Sequence, residues 1–190
     1  MISILLSLAL AASQPSFDCA RARGAVERSI CASDELAALD REEARLYRLA
    51  LAASPIRQQM FVDRQRRFLG DRNECAASYA PLDACIRNAY LGDIADIRRL
   101  SAAAAGDHGG ISSGPFRFDC DADYPDVYLT LFDLTPPQGY VAIPEVNEGQ
   151  PLAVAPGAGQ PYVGRYATDW IFDPGASQVR VGARICTRAD

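Results

Sequence analysis

Lysine is absent from the 190 residues, and all 19 basic side chains are arginine. That excludes Schiff-base chemistry, a phosphate-loop lysine and a lysine general base. Histidine occurs once, at His108, whereas most acid–base catalysis and most zinc or copper sites lean on that residue. No basic surplus exists: the net charge is −5, against the positive balance that phosphate neutralisation demands of a nucleic-acid binder. No two cysteines stand in a CxxC pair, so a zinc site is not expected. The sole long apolar run, residues 2–12, falls short of the roughly 20 residues needed to span a bilayer.

That run suits the apolar segment of a secretory signal, with small-x-small cleavage patterns at Ala9-Leu10-Ala11 and Ala11-Ala12-Ser13. Residues 1–13 are therefore expected to be a signal peptide, giving a soluble periplasmic protein. No lipid anchor is expected, because Ser16-Phe17-Asp18 before Cys19 is not the small apolar context of a lipobox. An even set of cysteines beyond the signal, Cys19, Cys31, Cys75, Cys85, Cys120 and Cys186, fits disulfides in an oxidising compartment. Cys75 and Cys85 flank a helix–helix turn. Cys120 and Cys186 bracket the second half. Cys19 reaches Cys31 only if it folds back from outside a helix, since twelve helical residues would separate them by about 18 Å.

The chain reads as a two-part α + β protein: a small helical domain over 17–100, a small-residue linker at 101–114, and an all-β part over 115–190 that forms a small antiparallel barrel or sandwich. In the first part, residues 24–31 predict a short helix. Ser33 predicts an N-cap, with Asp34 and Glu35 in the first turn and Leu36, Leu39, Leu46 and Leu49 at helical spacing. Pro55 opens a further helix with Ile56, Met60, Phe61, Phe68 and Leu69 as its apolar side. The last helix covers 82–100, with Leu82, Ile86, Tyr90, Ile94, Ile97 and Leu100 inward. In the second part, short alternating runs at 116–118, 127–132, 139–143, 152–155, 170–172 and 178–186 are punctuated by Pro and Gly turns.

Several chemistry-bearing clusters are read as structural. Asp40, Glu42 and Glu43, with Arg41 and Arg45 at helical spacing, are expected to form surface ion pairs, not a glycosidase acid pair. Asp119, Asp121, Asp123 and Asp126 lack the glycine and closing glutamate of a calcium loop and predict a solvated turn. Trp170 is expected in the barrel core, and His108 in solvent. No GxSxG elbow or triad spacing is present. No catalysis, cofactor or metal is expected.

Two stretches carry a resemblance. FDCARARGAVERSICASDELAALDRE, QRRFLGDRNEC and CIRNAYLGDIADIRRL, within 17–100, resemble the LprI-type lysozyme-inhibitor N-terminal domain. FRFDCD, PLAVAPGAGQPY, DWIFDPGASQVRV and the closing RICT, within 115–188, resemble MliC-type inhibitors of c-type lysozyme. The resemblance implies an eight-stranded barrel that protects the cell wall by blocking a c-type lysozyme or another cationic muramidase. It also implies partner-binding residues: Gly157, Ala158, Gly159, Gln160 and Tyr162 in one loop, Phe172 and Asp173 in another. Ala158 stands where the family has a loop serine, Pro156 replaces another, and no lysine follows Trp170. Charge adds an independent point. Residues 14–100 hold 14 Arg and 13 acids, residues 115–190 hold 5 Arg and 10 acids, and an acidic body speeds encounter with a cationic partner.

Overall fold

Why each helix forms is legible in its ends. In the computed structural model, which describes residues 14–120, 123–154, 162–164, 170–172 and 177–189, the helices are α1 (Ala25–Ala32), α2 (Asp34–Ala53), α3 (Gln58–Glu74), α4 (Leu82–Leu100) and α5 (Ala102–Ala105). Ser33 caps α2 by accepting from the Leu36 N–H, satisfying one of the orphan donors of the first turn. Pro55 starts a 3₁₀ turn that leads into α3, where its missing N–H costs nothing. Among the described residues no helix is long and apolar enough to cross a membrane.

Three disulfides join Cys19 to Cys31, Cys75 to Cys85 and Cys120 to Cys186. Cys19 lies in a 3₁₀ turn outside α1 and folds back onto its last turn, as the helix-length argument requires. The Cys120–Cys186 bridge spans 66 residues and the Cys75–Cys85 bridge 10. Loop-closure entropy then orders their effects. Replacing Cys120 and Cys186 together by alanine is expected to cost about 4 kcal/mol, and the Cys75/Cys85 pair closer to 3. Urea midpoints of the two double variants check the ranking.

Eight strands are seen among the described residues: β1 (Ser112–Asp119), β2 (Val127–Phe132), β3 (Gln138–Ile143), β4 (Glu148–Val154), β5 (Tyr162–Gly164), β6 (Trp170–Phe172), β7 (Gln178–Val181) and β8 (Arg184–Arg188). Each is antiparallel to the next. The sheet curls until β8 meets β1 through Phe118↔Arg188 and Asp119↔Thr187. The sequence pattern shows one run at 178–186; the structure breaks it at Gly182. That residue takes φ of +59° in the two-residue turn that pairs Val181 with Arg184, a conformation glycine adopts without strain.

The curled sheet has two differently buried faces. Phe118, Val127, Leu129, Val141, Ile143, Leu152, Tyr162 and Val179 pack on its inner side. Phe132, Leu134 and partly buried Tyr140 instead join the helical core of Ile30, Leu36, Leu46, Phe61, Phe68, Tyr90 and Ile94. Helix α4 is thus packed on helices on one side and on β1–β4 on the other. At Gly92 it leaves little room: an added Cβ would sit 3.1 Å from the Tyr140 Oη.

Three expectations change on inspection. Residues 101–114 are no featureless linker: Ser101 caps α5, and Ser112 already belongs to β1. In α3 only Phe61, Phe68 and Arg72 are buried, while Ile56 before it is fully exposed and Met60 and Leu69 are over one-third exposed. Finally, Asp40, Glu42 and Glu43 are not surface groups; all three are buried.

Candidate functional site

Antiparallel connectivity decides where the predicted binding residues meet. Because every strand reverses direction, the β2–β3, β4–β5 and β6–β7 connections fall at the same end of the sheet as the entry to β1. Gly157, Ala158, Gly159, Gln160 and Asp173 lie outside the described residues. Their flanks are described. Tyr162, the first residue of β5, pairs directly with Phe172, the last of β6, so the two loops singled out in the sequence leave adjacent strands side by side. The side chains of residues 170–172, Trp170 and Phe172 among them, are outside the description.

At this end lies a cleft of about 330 Å3, lined by His108, Ile111, Leu131, Asp133, Pro137 and Tyr162, among others. Tyr162 is buried. Burial first, and then the charge of Asp133, raise its phenol above the ordinary value. His108 is exposed, as expected. Asp133 directly follows β2, and its N–H donates to the Ile111 carbonyl at 2.7 Å. Its carboxylate forms no ion pair among the described residues.

A larger hollow of about 990 Å3 runs between the start of α4 and β3–β5. It draws on residues from both faces of the sheet: Gln138 shares a face with Phe132, whereas Val141 shares one with Leu129. It is therefore not a single concave wall.

Behind the cleft the two halves are joined by a buried charge network that the sequence reading missed. Arg98, with no exposed surface, donates from Nε to Ser112 Oγ at 2.7 Å. Its Nη1 reaches the Ala104, Asp107 and Gly114 carbonyls at 2.8, 3.2 and 3.1 Å, and its Nη2 the Ser112 carbonyl. Ser112 Oγ in turn donates to Glu42 Oε1, which lies 3.6 Å from the guanidinium. Arg45 holds the other side of Glu42 at 3.0 Å and also binds Asp107. Burial lowers Arg98 from the usual arginine value, while Glu42 and Asp107 oppose that shift. One planar fork thus ties α4 and α5 to the first strand.

A second network lies deeper among the helices. Arg72 donates to the Tyr90 hydroxyl at 2.8 Å, and Tyr90 donates to Asp40 at 2.7 Å. Arg64 holds Asp93 Oδ1 at 2.6 Å and Asp96 at 3.0 Å. Glu43 Oε1 and Asp93 Oδ2 are buried without hydrogen-bond partners among the described residues. Burial, then the charges of Asp93 and Asp40, push Glu43 up to about 8 against the opposing effects of Gln65 and Arg72. Burial likewise pushes Asp93 up to about 6, helped by Asp96 and Asp71 and opposed by Arg64. Glu43 lines neither of the clefts above, whereas Arg64, Asp93 and Asp96 line a third hollow of about 290 Å3 together with Phe68 and Tyr140.

Of the remaining acidic cluster, Asp119 ends β1 and is exposed, Asp123 is exposed and Asp126 is half-buried. Arg117 binds Asp119 at 2.7 Å and Asp126 at 2.8 Å on an exposed face; Asp121 lies outside the described residues. Among the described residues no group of three or more His, Cys, Asp or Glu is placed to hold a metal ion.

Compared with family models, curated proteins and solved structures, the chain matches none.

Proposed function

We propose that this is an exported periplasmic protein of lysozyme-inhibitor type, which binds a c-type lysozyme or a related cationic muramidase and blocks it by occlusion, without chemistry of its own. In this reading residues 17–100 are an LprI-like module and the curled sheet is a small MliC-like barrel. The observation that carries it is the pairing of Tyr162 with Phe172, which brings the two candidate loops to one end of the sheet. The excess of acids over arginines in residues 115–190 supports steering toward a cationic partner. The joint at Arg98 fixes the entry to β1, at the same end of the sheet, through hydrogen bonds to Ser112 and Gly114.

The test is turnover of cell-wall suspensions by c-type lysozyme in the presence of the intact disulfide-bonded protein. Inhibition at micromolar concentration or below is expected. No effect across that range removes the proposal. A second reading is an envelope interaction module that retains the architecture without lysozyme binding. It is favoured by Ala158 in place of the family serine and by the absence of lysine. Under that reading the inhibition assay is silent, and a pull-down from periplasmic extract returns no muramidase.

A further inference from the structure

The cleft at the loop-bearing end has a polarity that points to one class of occupant. Its apolar wall is supplied by Ile111, Leu131 and Pro137, its aromatic wall by Tyr162, and its anionic group by Asp133. Asp133 has no arginine partner among the described residues, although Arg117, Arg45, Arg64, Arg87 and Arg99 all pair with acids elsewhere. A carboxylate with no ion pair among the described residues, beside a tyrosine and at the mouth of an acidic sheet, is a receptor for positive charge. It repels anionic ligands. A single carboxylate with one nearby imidazole is a poor set of ligands for a hard divalent cation, which takes six or more oxygens or keeps its waters.

We propose that this cleft receives an arginine or lysine side chain of a protein partner. The aliphatic stem would lie along Ile111, Leu131 and Pro137, and the cationic head would meet Asp133 and the face of Tyr162. A guanidinium suits the geometry better than an ammonium, since its plane stacks on a ring while its fork meets the carboxylate. This deepens the inhibitor reading and rests on it only for the identity of the partner. In this arrangement the cation comes from the partner and enters this protein.

Because His108 is the sole histidine and lines the cleft, its imidazole resonances are a unique reporter. Titrating the full disulfide-bonded protein with N-acetyl-arginine amide at millimolar concentration is expected to shift those resonances saturably. The uncharged citrulline analogue should leave them in place. Asp133→Asn should abolish the shift with an unchanged far-UV circular dichroism spectrum, and should weaken binding to c-type lysozyme about tenfold, equivalent to 1.4 kcal/mol. A saturable arginine shift in a protein that does not bind lysozyme supports the cleft's ligand class while removing the lysozyme reading. A His108 spectrum indifferent to the arginine probe, or lysozyme affinity unchanged in Asp133→Asn, overturns the proposal.

Discussion

Arg98→Met is expected to lower the folding stability by about 3–5 kcal/mol, the range for removing one partner of a buried ion pair. Methionine keeps much of the aliphatic volume, so the loss is electrostatic. Glu42, buried at 4% exposure, would keep Arg45 at 3.0 Å and lose the guanidinium on its other side. The carbonyls of Ala104, Asp107, Ser112 and Gly114 would lose a shared donor. Adding Glu42→Gln should restore part of the loss, because the stranded charge goes with its partner. The readout can also report on coupling between the halves. The helices dominate the circular dichroism signal, while the single tryptophan, Trp170, sits in β6. Urea transitions by the two probes should coincide in the wild type and separate in Arg98→Met. Coincident curves with a shift below about 1 kcal/mol would show that the joint contributes little beyond its geometry.

Glu43→Gln is expected to raise stability at alkaline pH and to change it little at pH 4. In the unfolded chain Glu43 titrates near its ordinary 4.5; in the fold it is pushed up to about 8. Below 4.5 both states hold the proton. Between 4.5 and 8 the unfolded chain releases it and the folded protein does not, so wild-type stability falls as pH rises. Above 8 the loss is complete, on the order of a few kcal/mol. Glutamine copies the shape of the protonated acid and carries no charge at any pH, so the variant loses most of this slope. Asp93, raised from 3.8 to about 6, leaves a smaller decline over that lower window. Thermal midpoints from pH 4 to pH 9 check the point. Parallel profiles for variant and wild type would mean that Glu43 ionises in the fold near its ordinary value.

Local signals wrote the helices plainly. Ser33 before two acids marked the start of α2, and Pro55 marked the new start that leads to α3, because caps and proline act within a turn of chain. The burial of Asp40, Glu42 and Glu43 was not legible that way. A stripe of apolar residues identifies a helix covered on one side, but α2 packs against α1, α3, α4 and α5, so polar positions are buried with the apolar ones. α3 shows the converse error: Ile56, Met60 and Leu69 satisfy the periodicity but point past the ends and edge of the contact. The available signal for the charge joints was compositional. A chain that uses arginine throughout has the cation best suited to buried, multiply bonded pairs. In the sheet, β5 has no run of its own in the sequence pattern, because Tyr162-Val163-Gly164 joins only two strand-forming side chains to a glycine. The adjacency of Tyr162 and Phe172 depends on connectivity, which no window of sequence contains.

Phe132 and Leu134 complete the same oily cluster as Ile30, Leu46 and Tyr90. A ribosome, or a translocation channel, delivers the helices first. Until the second strand of the sheet emerges, that flank of α4 has only water or a chaperone to lie against. The halves are consequently bound to a shared fate in biogenesis: a helical half released alone would carry a bare oily flank where Phe132 and Leu134 belong.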